Sequence, residues 1–535
     1  MKNLKRILPK ISSNQIVVTA LFFGVLLLLS LIVPKFFIAD DLWLIKSAYS
    51  RPVPWFSDWT YSADGLYRPL FILFLKSEYL FWGLNPFYYY LSNLCIHAIN
   101  AVIIFLCIKK LDNLISLQLN KTIIILVPFL YFIMPQNLSA VLWISCGSDL
   151  LCGLFLFSSM YCLLHYIEHC KEKHLFFAIS LLILSLLSKE TGIAAVFYII
   201  GIYLLVQNKT QFKILPKHIV VFTMVVVLYL TLKYSILINS HAPNIFNGYS
   251  INKLFKFLSI GLISFFSTLN YIDIKLITRS KDPAAYLISF FGFVYLLLLC
   301  FCYLKYSRTH RKMAGITILL GFCSLFIYIN QVPQMRLMYV HLPFVLFSVI
   351  VVLSSIKNRL TLLYFTIIIS LSVIISAYPV INTNAAAQHY YLKLEEAIQK
   401  TTAGKNYIVL SSIGRLGQTW LKPNLNLLPS YVKQKNIDSA YNNFTAPFYI
   451  EGNSFSKISN IVKVSKVDAN NILVEAKKGF FFVPEPAKKF ESKNTEIQTN
   501  NGFARISIID FDNTDLPAKL LIYFEKPISE FGFIY

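Results

Sequence analysis

Two neighbouring carboxylates, Asp40 and Asp41, stand just past the first long apolar run, Ile16 to Val33. A carboxylate where a membrane helix reaches water is costly to bury and easily shifted in pKa, so it marks function by default. Beside an acceptor hydroxyl it can take the proton as that oxygen attacks. The same position equally suits a solvated helix end. Downstream, Tyr67-Arg68-Pro69-Leu70 sets a guanidinium against an aromatic ring. Such a group forks onto two phosphate oxygens and stays charged at any working pH. It also suits an arginine that reaches lipid headgroups. Asp149 opens a later apolar run, where an acid favours a helix N-terminus. Lys189-Glu190 lies between two apolar runs, either as an internal ion pair at a turn or as a cationic contact to an anionic donor. Arg336, in Gln334-Met335-Arg336-Leu337-Met338-Tyr339, sits at the end of another.

These residues need long apolar elements to hold them. The chain has 535 residues, 56% hydrophobic and 14% charged. A soluble domain carries about 25% charged residues, and the mean hydropathy here is +0.60. The sequence predicts a mainly α, polytopic membrane protein. Lys2, Lys5, Arg6 and Lys10 precede the first apolar run, which places the N-terminus in the cytoplasm and sends helix 1 outward, without a cleavable leader. Further helices are expected over Phe87–Ile108, Lys121–Met134, Asp149–Lys171, Leu175–Leu187, Ile193–Val206, Ile219–Ile238, Tyr286–Leu304, Ala314–Ile329, Val340–Ser355 and Leu360–Ala377. That gives about eleven spans, with Leu254–Leu269 read as an interfacial or re-entrant segment that keeps Lys305, Arg308, Arg311 and Lys312 inside. In this topology Asp40, Asp41, Arg68, Asp149, Lys189, Glu190 and Arg336 share the outer side.

After about residue 382 charged and amide residues become frequent and long apolar runs stop. A short amphipathic helix is expected over His389–Thr401. Strands are expected over Tyr407–Ser411, Ile472–Ala476, Phe480–Val483, Ala504–Asp510 and Leu520–Phe524. Two domains follow: 1–382 in the membrane and 383–535 as an extracytoplasmic β-rich domain.

The formal charge of +23 fits lysines and arginines facing anionic lipid rather than nucleic acid. The nine cysteines have neither metal nor disulfide spacing. His97, His165 and His218 show no pair with metal-ligand spacing, and no metal centre is expected of them. Asp40, Asp41 and Asp149 could hold a divalent ion, which acids alone do not establish.

The sequence resembles the GT-C membrane glycosyltransferases, nearest the tetratricopeptide-bearing transmembrane O-mannosyltransferases and their bacterial relatives. Four pieces carry the resemblance: Ala39-Asp40-Asp41; Tyr67-Arg68-Pro69-Leu70 with Gly83-Leu84-Asn85-Pro86-Phe87 and Ser92 to Asn100; Pro135 with Ala140 to Ile144 and Asp149-Leu150-Leu151; and Leu187-Ser188-Lys189-Glu190-Thr191. No tetratricopeptide repeats follow them. The resemblance implies inverting transfer of a sugar from a polyprenyl-phosphate donor to a glycan, lipid or protein hydroxyl, at the outer face of a bacterial inner or plasma membrane. It implies Asp40 or Asp41 as acceptor base. Arg68, with Lys189 or Arg336, would sit at the donor phosphate, with Tyr67, Asp149 and Glu190 shaping the site. Two other readings use the same bulk and charges: a flippase for lipid-linked glycans, and a non-catalytic envelope assembly protein.

Overall fold

The computed structural model describes residues 36–38, 41–50, 60–61, 66–116, 118–206, 216–239, 311–324, 335–354 and 356–400, the strands between 406 and 534, and scattered positions within 17–27 and 290–304. Most of helix 1, the Leu254–Leu269 segment and most of Tyr286–Leu304 therefore lie outside the described residues.

The stretch between the first two expected spans is not an open loop. It contains α1 (Asp41–Ser50), a two-stranded ladder of β1 (Thr60–Tyr61) and β2 (Leu66–Tyr67), and α2 (Pro69–Trp82). Proline at the first position of α2 has no N–H to leave unpaired. Gly83 ends that helix at φ 57° with its N–H on Tyr79, a backbone region costly for any residue with a Cβ. Fourteen residues rise about 21 Å, short of a hydrocarbon core of about 30 Å.

Then come α3 (Pro86–Ile115), α4 (Lys121–Ile133), α5 (Pro135–Val141), α6 (Gly147–His169), α7 (Glu172–Ser188), α8 (Ala195–Val206), α9 (Pro216–Asn239), α10 (Arg311–Ser324), α11 (Leu342–Ser354) and α12 (Arg359–Gln399). The side chains of Asn85, Asn120 and Asn358 accept N–H bonds at the starts of α3, α4 and α12, as capping residues do. Among the described residues, four helices are long and apolar enough to cross a membrane: α3, α6 with its preceding turn, most of α9, and α12. A fifth arises if α4 and α5, bent by 48°, count as one.

Cross-helix bonds fix direction. Along α3, Asn93, Asn100 and Lys110 meet the region of Val141–Trp143, Leu150 and Glu168 in turn, so α3 and α6 run parallel. Cys152 meets Ser185 while Ser159 meets Ala178, so α7 returns antiparallel. The bundle has an end that carries Asp41 and an opposite end that carries Lys110.

The expected break near residue 382 is absent from the backbone: α12 is one helix of 41 residues through Gln399. Leu360, Leu363, Tyr364, Ile367, Leu371, Ile374 and Tyr378 are exposed along it, at helical spacing. That stripe is about 27 Å long at 1.5 Å per residue, close to the thickness of a hydrocarbon core. The remaining turns stand beyond it and brace the first loop: Gln388 accepts the Phe36 N–H at 3.1 Å, and Tyr391 stacks on Phe36. From Asn406 on the described elements are strands, including a five-stranded antiparallel sheet with strands in the order Glu496–Gln498, Ala504–Phe511, Pro517–Phe524, Asn471–Ala476 and Val462–Lys466.

Inside the bundle, Asn93, His97 and Asn100 occupy one face of α3 at spacings of four and three and form a polar spine. His97 Nε2 meets the Phe132 carbonyl at 3.1 Å, so this nitrogen carries the proton. Its Nδ1 then accepts from the Tyr339 hydroxyl at 2.7 Å, and that hydroxyl accepts from Asn100 at 3.0 Å. Gly153 makes room, since a Cβ there would lie 2.9 Å from the Tyr339 ring. Tyr339→Phe should strand a histidine nitrogen and an amide donor. The expected loss is about 1–3 kcal/mol per group, seen as a lower Tm of the detergent-solubilised chain; an unchanged Tm would show that the spine does not hold the fold.

Candidate functional site

The bend between α5 and α6 forms the floor of the Asp41 end. Leu142 and Trp143 leave the helix, and a 3-10 turn, Ile144–Cys146, leads into α6. The Asn93 amide donates to the Val141 and Trp143 carbonyls, both at 3.3 Å. From the other side Asp41, 0% exposed, accepts the Ser145 N–H at 3.0 Å and the Ile38 N–H at 2.9 Å. Asp41 therefore ties its own loop to the start of α6. Asp40 lies outside the described residues.

Arg336 arrives from a 3-10 turn, Met335–Met338, and lays its guanidinium 3.8 Å from the centroid of the Trp143 ring. Stacking of this kind suits arginine because its charge is spread over a plane. Among the described residues Arg336 forms no ion pair. Arg336 and Asp41 are thus mounted on the same stretch of backbone, one on the side chain of residue 143 and the other on the amide of residue 145. Consecutive Cα atoms are about 3.8 Å apart, so the two supports lie within two residue steps.

The other charges are paired. Lys189 donates to Asp149 Oδ2 at 2.5 Å, with both side chains buried. Asp149 Oδ1 is buried without a hydrogen-bond partner among the described residues. Arg68 grips Glu190 with two bonds, Nη2 to Oε1 at 2.7 Å and Nε to Oε2 at 3.2 Å. Lys233 of α9 lies 3.8 Å from Glu190. Burial pushes the Glu190 carboxyl up, but Arg68, Lys233 and Lys189 outweigh it and hold it well below the usual carboxylate range. Tyr67 is fully buried, its carbonyl accepts from the Tyr229 hydroxyl at 3.5 Å, and burial pushes its phenol up to about 12.

Arg68, Tyr67, Asp149, Lys189 and Glu190 therefore come together as one cluster, and Asp41 joins it through the first turns of α6. Lys189 and Glu190 do not pair with each other across their turn. Each reaches a different partner, because Lys189 is extended (φ −162°, ψ 147°) and the two side chains diverge. Lys233, Trp143 and the Ser145 amide were not legible as site residues. Lys233 sits inside an apolar run, and such a cation usually has a partner, the one sign that could have found it.

No protein-family model matches the chain, and no curated protein matches it. Among solved structures, ArnT from Cupriavidus metallidurans in the apo state aligns with a TM-score of 0.36 and 10% identity, over 73% of this chain and 82% of that one. The arabinofuranosyltransferase AftD from Mycobacteria aligns with a TM-score of 0.38 and 9% identity, over 92% of this chain and 40% of that one. The chain thus spans less than half the length of AftD.

Breaking a buried ion pair by removing one partner costs about 3–5 kcal/mol, whereas replacing both can be neutral. Lys189→Met should lower Tm more than the Asp149→Leu/Lys189→Met double variant, and equal losses would show that the two groups do not act as a pair. For Glu190 the folded pKa is depressed, so its contribution is present above the unfolded carboxylate value of about 4.3 and fades as pH falls below it. Glu190→Gln should flatten the fall of Tm between about pH 5 and pH 3; a profile parallel to wild type would rule this contribution out.

Proposed function

We propose that the chain is a GT-C-type membrane glycosyltransferase that moves a sugar from a polyprenyl-phosphate donor to an acceptor hydroxyl, with inversion, at the extracytoplasmic face. The single observation that carries this reading is the placement of Asp41 and Arg336 on residues 145 and 143. A carboxylate loop and a cation that has no carboxylate partner among the described residues flank one point at the end of an apolar bundle. The α12 stripe supports a site at a membrane surface, because the Phe36–Asp41 loop is braced by the part of α12 beyond that stripe. Lys109, Lys110, Lys121, Lys171 and Lys357 gather at the opposite end, which supports a cytoplasmic N-terminus and an extracytoplasmic site under the positive-inside bias. The strands after Asn406 then form the extracytoplasmic β-rich domain. The expected boundary at 382/383 falls within α12, which joins the two parts.

In this mechanism the acceptor oxygen attacks the anomeric carbon while the bond from that carbon to the phosphate oxygen breaks. The acceptor proton goes to a carboxylate, and the departing polyprenyl phosphate keeps the electron pair. Asp41 already accepts two backbone N–H groups, so the base is assigned to its neighbour Asp40, and Asp41 positions the loop. Arg336, not the Glu190-bound Arg68, is assigned to the leaving phosphate, where fixed positive charge stabilises the growing anion. Arg68, Glu190 and Lys233 hold the wall of the site. Asp149 Oδ1 is left as an acceptor for a sugar hydroxyl.

The test is sugar transfer in proteoliposomes supplied with polyprenyl-phosphate hexose or pentose. Asp40→Asn should reduce transfer by about 10²–10⁴-fold, the usual share of general base catalysis, with Tm unchanged. Asp41→Asn should lower Tm. Arg336→Ala should raise the donor KM more than the acceptor KM. Full activity in Asp40→Asn, or loss of transfer in Asp41→Asn at unchanged Tm, would move the base to Asp41 or remove it.

A further inference from the structure

At the end of the bundle opposite Asp41, the turn between α6 and α7 gathers three imidazoles and a carboxylate. His165, Glu168 and His169 end α6, and one donor atom from each falls within 4.8 Å of the others. His174, in the first turn of α7, brings its ring centroid to 5.5 Å from His165 and 6.3 Å from His169. His165 and His169 are 5.7 Å apart with planes 30° from parallel. His97, His165 and His218 form no pair at ligand spacing, but His165 and His169 do, and His174 stands beside both. Histidines four apart share a helix face, the spacing of two-histidine metal helices.

The chain folds back sharply to close this cluster. Cys170 takes a left-handed conformation at φ 53°, and its N–H closes on the Tyr166 carbonyl at 2.7 Å. Glu168 bonds Lys110 and also His169 Nε2, the latter at 2.7 Å. One lysine and one glutamate would make an ordinary ion pair. Three imidazoles around them need another reason: protonated, they would repel across 5–6 Å, but neutral they converge as ligands. Packing does not supply that reason, because His169 is 46% exposed.

We infer that His165, Glu168, His169 and His174 bind one divalent transition-metal ion that clamps the α6–α7 turn. The His165, Glu168 and His169 donors, within 4.8 Å of one another, must close to the roughly 3.4 Å separation of tetrahedral ligands about 2.1 Å from zinc, and the His174 ring must turn to join them. The ion takes Glu168 from Lys110. Three nitrogens and one carboxylate suit Zn²⁺, Co²⁺, Ni²⁺ or Cu²⁺ and not Mg²⁺ or Ca²⁺, which prefer oxygen. This site lies across the bundle from the proposed glycosyl-transfer site and does not depend on that reading.

The full chain, purified in detergent without a polyhistidine tag, is titrated with Co²⁺ and followed by visible absorption, then competed with Zn²⁺. One equivalent of Co²⁺ should bind with the absorption of a four-coordinate ion, be displaced by Zn²⁺, and be lost on acidification, because protons compete with the metal for its ligands. His169→Gln and His174→Gln should each weaken Co²⁺ binding by more than about 100-fold, beyond the 10–100-fold cost of removing a group that only orients a ligand. Both variants should keep the wild-type Tm in the presence of chelator. No stoichiometric Co²⁺ binding by the wild-type chain, or binding that survives in both variants, overturns the proposal.

Discussion

A helix broken inside an apolar bundle frees amides and carbonyls that no water reaches, and each unpaired group costs several kcal/mol. The break between α5 and α6 imposes that demand on everything around it. Asn93 reaches across from α3 to take two freed carbonyls, and Asp41 reaches down from its loop to take a freed amide. At the preceding bend, between α4 and α5, His97 takes the Phe132 carbonyl and passes the load to Tyr339. These polar side chains sit at the site end because the backbone requires them there. The chemistry falls to the polar groups that the backbone has not already claimed.

The charges obey the same accounting. Asp149 holds Lys189, and Glu190 holds Arg68 with Lys233 behind it. Each of these cations is already screened by an acid. Their field at the site is therefore weak, and their main effect is rigidity: four elements, α6, α7, α9 and the β2–α2 junction, are cross-linked by two ion-pair groups. Arg336 differs because a ring, not a carboxylate, fixes it. A guanidinium stacked on indole keeps its edge N–H groups free to fork onto two oxygens. A lysine in that place would lose both the stacking and the fork.

Local signals were largely legible. Asn85, Asn120 and Asn358, each just before a long apolar run, mark helix starts that the backbone observes within a few residues. Composition fails at α12. Asn382, Thr383 and Asn384 read as the end of a span, and the apolar run does end there. The helix continues through Ala385, Ala386 and Ala387, because leaving an apolar environment removes the need for apolar side chains without removing helix propensity. The site was legible as a set of residues but not as a set of pairs. Arg68 and Glu190 are 122 positions apart, and nothing local distinguishes a guanidinium bound to a carboxylate from one awaiting a phosphate. Asp40 and Asp41 are indistinguishable by type. The two amides on Asp41 show only in the fold.

The Phe36–Asp41 loop is clamped from both directions of the chain. Ser145 holds it from below, and Gln388 with Tyr391 holds it from α12. α12 is a continuous rod from its apolar stripe to its end near the first strand. Rotation of that rod would move Gln388 and Tyr391, which touch Phe36, five residues before Asp41. The loop's geometry thus depends on residues some 350 positions away, as the Phe36–Gln388 bond records. In the proposed mechanism such dependence suits a base that must stand within hydrogen-bond reach of its hydroxyl, where a misplacement of an ångström can cost on the order of 10²-fold in rate.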